Sequence, residues 1–283
     1  MENVNEYAVS NDLQRRDALD TIEEFADEIA SMHGRCLDIG CGPGIATKDI
    51  ILPRLPSDAV LTGADISKAM IKSARSYCAN EPRLSFVELD VETDELPIHE
   101  IGQYDNVLSF YCLHWCQDTK QTYENIYKLL RPGGTGLIMF LSFNDGFDAY
   151  IRMRDNSRYT AYMQDASKYV PAFHNCPNPR ANLKKILEDV GFEVLHCSNR
   201  EKSFIYKDMK TLQKHAIAVN PFYNRIPDNL KEEYTEEMTR EIARRKILLE
   251  TKNNQVPKEY SVLDRYRILI AYFKKPEKAD EIR

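Results

Sequence analysis

The chain has 283 residues, of which 43% are hydrophobic and 29% charged, and its formal net charge is −6. These proportions describe an ordinary globular protein with enough residues for one large core, or one domain with a cap. They disfavour nucleic-acid binding, which draws on a basic face, and no run approaches the ~18 apolar residues of a membrane span.

Met1 to Asp12 is polar and lacks the apolar core of a signal peptide, so the cytoplasm is the expected location. Seven scattered cysteines, an odd count without close pairs, fit free thiols in a reducing compartment. From Asn11 to Met32, apolar residues at 18, 19, 22, 25, 26 and 29 have helical spacing, with Asn11 or Asp12 as cap. Strands then alternate with helices: strand 35–40, helix 45–53, strand 60–66, helix 67–78, strand 84–91, strand 104–111, helix 119–130 and strand 135–142. Gly191 closes a helix over 180–190, strand 193–200 follows, and an apolar strand runs from Tyr266 to Phe273. The alternation predicts an α/β, doubly wound, Rossmann-like fold, with a mostly parallel seven-stranded sheet and an α-helical cap over its carboxyl edge. One domain is expected over 1–283. Residues 1–32 should form a helix over the site, and 143–180 and 207–262 the cap insertions. Within the second insertion a helix is expected over 228–250, its Glu, Lys and Arg forming a solvated face.

The first strand leads into Gly40-Cys41-Gly42-Pro43-Gly44, and Asp65 ends the next strand at about the 20-residue distance of a ribose-binding carboxylate. Glycines there permit positive φ and close ligand approach, and the following helix start can hold an anion. A turn that only packs helix on strand would look similar. A dinucleotide fingerprint is Gly-x-Gly-x-x-Gly; here the third glycine comes one residue early and Ile45 takes its place. Asp38, just before the first glycine, would repel phosphate. It suits a ligand with an ammonium and a sulfonium, which points to S-adenosylmethionine. Asp90 and Val91 close the third strand, where a carboxylate and a backbone N–H can meet an adenine edge. The expected cofactor set is Asp38, Gly40, Cys41, Gly42, Asp65, Ile66, Asp90, Val91 and Ser109.

The fourth strand runs into Ser109-Phe-Tyr-Cys-Leu-His-Trp115. Trp115 is the sole tryptophan and sits where substrates bind in open α/β sheets; a core tryptophan is the competing reading. His114 is either a general base or a satisfied structural histidine. Cys112, His114 and Cys116 would share one face of a strand, but no second ligand pair supports zinc, and no metal is expected. Tyr7, Asn11 and Gln14 can line the mouth if the first helix folds over the sheet edge.

Taken together, Leu13-Gln14-Arg15-Arg16-Asp17-Ala18, Leu37 to Gly44, Asp65-Ile66-Ser67, Ser109 to Trp115 and Val219-Asn-Pro-Phe222 carry a resemblance over nearly the whole chain. The sequence resembles class I S-adenosylmethionine-dependent methyltransferases, and among them the insect juvenile hormone acid O-methyltransferase family. That resemblance implies methylation of the carboxylate of a small apolar acid, farnesoic acid or juvenile hormone acid, and Gln14 and Trp115 match the Gln and Trp that hold it. With His114 they form the expected catalytic set. The chain departs from the family mainly in 143–180 and 228–262, which shape the acyl pocket. A hydroxyl or phenol O-methyltransferase using His114 as base is the alternative. The remaining expected partner is at most a second copy, as a homodimer.

Overall fold

The computed structural model describes residues 11–250 and 260–277. Helix α1 (Asp12–Glu24) and the short α2 (Ala26–Ala30) lead into β1 (Arg35–Ile39). Asn11 occupies the cap position of α1 without a side-chain bond. Tyr7 lies outside the described residues. The predicted helix at 45–53 is a short π turn, Thr47–Ile51, followed by a 3-10 turn. Next come β2 (Val60–Asp65), α3 (Lys68–Tyr77), β3 (Leu84–Glu88), β4 (Tyr104–Phe110) and α4 (Thr119–Leu129). Ser67 and Asp118 cap α3 and α4, each accepting from a backbone N–H three residues on.

The second half comprises β5 (Leu130–Asn144), α5 (Asp145–Arg154), α6 (Pro179–Val190), β6 (Glu193–Tyr206), α7 (Met209–Ala218), α8 (Lys231–Ala243), β7 (Ile247–Glu250) and β8 (Tyr260–Lys274). Gly191 ends α6 in the left-handed region, as its position suggested.

The sheet has eight strands in the order β3-β2-β1-β4-β5-β8-β6, with β7 paired to β8. β1 to β5 pair in parallel, and β8 runs against all its neighbours. The doubly wound α/β expectation therefore holds, with two corrections. The eighth strand, β7, takes the end of the stretch expected to be helix 228–250, because α8 stops at Ala243 and the chain turns at Lys246. The ribbon strands β5, β6 and β8 are also longer than predicted, since their antiparallel pairing continues beyond the parallel core, down to Tyr206 opposite Val262.

β1 lies between β2 and β4, with Asp38 beside Gly63 on one side and Leu108 on the other. The strand order reverses at this point, so the β1 and β4 loops diverge and leave a crevice. One sheet face is buried under α4 and α6, through Leu129, Leu183 and Leu187; the other under α1 and α5, through Ile22, Phe147 and Met153. No described helix is long and apolar enough to cross a membrane.

Candidate active site

Beyond the β1 and β4 ends lies a cavity of about 480 Å³ including its open mouth, bordered by Asp38, Gly40, Cys41 and Ile45 from the β1 loop, by Asn11, Gln14 and Arg15 from α1, and by Tyr111. Asp38 is buried and accepts the Thr47 hydroxyl at 2.7 Å. Burial pushes its carboxyl up to about 7, against the Thr47 bond and with the charge of Asp65. Asp65 ends β2 and is fixed by two backbone donors, Gly42 N–H at 3.0 Å and Ser67 N–H at 2.8 Å. Burial raises its pKa while those two bonds oppose the rise. Each carboxylate oxygen keeps acceptor capacity beyond one such bond.

The glycines of this loop answer to packing as well as to any ligand. Gly40 has φ of +77°, and a Cβ there would fall 2.2 Å from the Cys112 side chain. Gly44, at φ of +81°, would press a Cβ to 3.1 Å from Ala74 on α3. Ile66 is bare to solvent beside Asp65. The third strand stops at Glu88, short of the predicted 91, so Asp90 and Val91 belong to a loop. Asp90 is exposed and caps the Glu92 N–H at 2.9 Å, while the Val91 carbonyl accepts from Asn125 at 2.9 Å. Ser109 is fully buried, and its hydroxyl donates to the Ile39 carbonyl at 2.9 Å, tying β4 to β1.

A second cavity, about 760 Å³ including its open mouth, shares Gln14 and Tyr111 with the first as bordering residues. His114 and Trp115 enter it from a 3-10 turn, Leu113–Trp115, just past β4. Phe147, Tyr150, Leu212, Ala216 and Ile242 supply apolar wall from the two insertions. Trp115 packs against His114 at 4.8 Å and edge-on to Phe147 at 5.9 Å. Gln14, Trp115 and His114 are thus brought to one cavity. The side-chain oxygen of Gln14 is buried without a hydrogen-bond partner. Because amide oxygen and nitrogen are interchangeable in assignment, one end of this amide is left unmatched on a residue that borders both cavities.

His114 is buried, its Nδ1 has no partner, and burial pushes its pKa down to about 3. It stays neutral through the physiological range and offers no base titrating between pH 6 and 8. The 3-10 turn removes the strand alternation that would have aligned Cys112, His114 and Cys116. Among the described residues no cluster of His, Cys, Asp and Glu suits a metal. Several of the aromatics between 143 and 223 belong to the core rather than the cavity, for example Tyr159, which packs edge-on against Tyr234.

Sequence reasoning missed three features. Tyr111 has φ of +56° at the β4 end. Asp17 is a buried carboxylate on α1, at a position of the inner helical stripe where an apolar residue is the norm; that is the one signal that could have been read. Asp264, at the edge of the second cavity, forms a buried ion pair with Lys246 and accepts from Asn144 at 3.2 Å.

Residues 37–135 match the family described as a methyltransferase domain. The chain is 33% identical to the juvenile hormone acid O-methyltransferase of Drosophila melanogaster, over 95% of this chain and 91% of that one. It is also 33% identical to the Bombyx mori protein of the same name, over 97% and 98%. Among solved structures, the YcgJ protein from Bacillus subtilis shares the fold with a TM-score of 0.54 at 14% identity, covering 91% of this chain and 99% of that one.

Proposed function

The chain belongs to the juvenile hormone acid O-methyltransferase family of S-adenosylmethionine-dependent methyltransferases, and from that premise we propose that it esterifies the carboxylate of a long apolar acid, farnesoic acid, juvenile hormone acid or a relative, in juvenile hormone biosynthesis. One observation carries the reading: Gln14 and Trp115, two uncharged donors, border one largely apolar cavity, and Gln14 also borders the cavity at the β1 loop.

Of the expected cofactor residues, Asp38, Gly40 and Cys41 border the first cavity, which supports S-adenosylmethionine there. Asp38 suits its ammonium, Asp65 its ribose hydroxyls, Ile66, Asp90 and Val91 its adenine, and the backbone of Gly40, Cys41 and Gly42 its remaining edge; Ser109, fully buried, ties β4 to β1 instead of touching the cofactor. When bound, the cofactor supplies a sulfonium methyl that a carboxylate oxygen takes in one displacement, releasing S-adenosylhomocysteine. A carboxylate is already ionised at neutral pH, so this chain's residues need no general base; their work is orientation and exclusion of water. Both partners lose charge in the step. A cationic clamp would stabilise the starting anion more than the transition state and slow the reaction. The Gln14 amide and Trp115 indole orient the anion with less of that penalty, and His114 holds the indole from one side. Described parts of the expected cap, residues 11–32, 143–180 and 207–250, would keep the tail dry. A hydroxyl-directed reading would need His114 as base, and the buried, neutral imidazole gives it little support.

The test is turnover with radiolabelled S-adenosylmethionine against fatty and sesquiterpenoid acids and matched alcohols and phenols. Methyl esters should form, with kcat/KM rising by about fourfold per added methylene, from ~0.8 kcal/mol each, until the cavity is filled. Methylation of the alcohols alone would end this reading.

A further inference from the structure

Asp17 is the most heavily engaged carboxylate beside the site, and none of the chemistry above uses it. Its side chain is fully buried. Tyr111 Oη and Tyr266 Oη both donate to Oδ2 at 2.6 Å. Arg16 donates to Oδ1 at 3.0 Å, and the Lys202 ammonium stands 3.5 Å away. Arg16 also donates to Tyr266 Oη at 2.7 Å, so the groups form one closed network. Burial, together with the Asp17 charge, raises the pKa of both phenols, which keeps them donors. A buried carboxylate is tolerated only when fully hydrogen-bonded, and this one joins four elements: α1, the end of β4, β8 and, through Lys202, β6.

Its place on the helix matters. Gln14 and Asp17 are three residues apart on α1, hence neighbours on one helical face. Tyr111 is the only non-glycine among the described residues with positive φ, a conformation that costs about 1–3 kcal/mol and persists where surroundings enforce it. Its N–H is held by the Met139 carbonyl at 2.8 Å and its hydroxyl by Asp17. The strained residue is also the one that, with Gln14, borders both cavities.

We infer that Asp17, clamped by Tyr111 and Tyr266, is a positioning residue: it sets the rotation of α1 that keeps Gln14 on the wall shared by the cofactor and acid cavities. The inference rests on the carboxylate role of Gln14 proposed above. Two alternatives carry less. A helix anchor with no link to the site leaves the strained Tyr111 unexplained, and a general acid or base role fails because Asp17 borders neither cavity.

The experiment is a double-mutant cycle on the full chain between Gln14→Ala and Tyr266→Phe. Tyr266 borders neither cavity, and its ring is kept in the variant. Tyr266→Phe should lower kcat/KM for the acid, read at saturating cofactor, about ten- to hundredfold. In the Gln14→Ala background the same change should cost less than about twofold, because the group it positions is gone. Equal losses in both backgrounds, or wild-type kinetics for Tyr266→Phe alone, would overturn the positioning role. A silent Gln14→Ala single variant is a separate result, which removes the carboxylate reading and the inference with it. If Tyr266→Phe does not fold, Asp17→Asn, which keeps shape and one acceptor, is read in the same cycle with the same outcomes.

Discussion

Lowering the pH through the titration of Asp38 should weaken cofactor binding by an amount the structure sets. The buried carboxyl titrates near 7 in the free chain, and only its ionised form can pair with the ammonium of S-adenosylhomocysteine. The apparent Kd is the intrinsic value divided by the ionised fraction. That fraction falls from about three-quarters at pH 7.5 to about 0.03 at pH 5.5, so affinity should drop about 25-fold, approaching 1.4 kcal/mol per pH unit. Calorimetric titration at pH 5.5, 6.5 and 7.5 reads this directly. Asp38→Asn should bind weakly and with no such slope. A flat wild-type profile, or a variant that tracks the wild type, would refute the assignment. Stability moves the other way. The folded-state pKa lies above the ordinary carboxylate value, so the folded chain holds a proton that the unfolded chain has released between about pH 4 and 7. Stability from this site is therefore lost as pH rises through that window, by up to about 4 kcal/mol. Cofactor-free Asp38→Asn should melt above wild type at pH 8.

Three further outcomes are expected. Trp115→Phe keeps bulk and removes the donor; a hydrogen bond to a charged group is worth about 1.5–3 kcal/mol, so kcat/KM for the acid should fall at least about tenfold, and near wild-type turnover would exclude the indole from carboxylate binding. Asp65→Ala should weaken cofactor binding by roughly 1–3 kcal/mol in calorimetry, with unaltered affinity telling against the ribose assignment. With both substrates saturating, kcat should stay level from pH 6 to 8, because burial holds His114 near 3; a rising limb that disappears in His114→Gln would restore a base to the mechanism.

The parallel half of the sheet was legible because each βα unit announces itself locally, through an apolar run, a glycine or capping turn and an amphipathic helix. The antiparallel ribbon was less so. Alternating residues of β6 such as Leu195 and Ile205 are exposed, and the charged run through 228–250 masks the turn at Lys246 that separates α8 from β7. At the candidate site, Asp38 was legible from a strand end and Gln14 and Trp115 from motifs, in that all three border the cavities; Asp65 borders neither. The Asp17 network could not, because its hydrogen bonds span 94 and 249 residues of sequence. Nothing near Tyr111 in the chain signals a positive φ; its conformation follows from contacts made only after folding.

The position of β8 has a consequence for assembly. It slots between β5 and β6, pairing with β5 from Thr135 to Asn144 and with β6 from Glu193 to Tyr206. Both partners leave the ribosome first and must wait, each with an open row of amide and carbonyl groups, until Tyr260–Lys274 follows. The sheet is thus closed by a late keystone, a high-separation step that slows folding and leaves two adhesive edges uncovered in the interval.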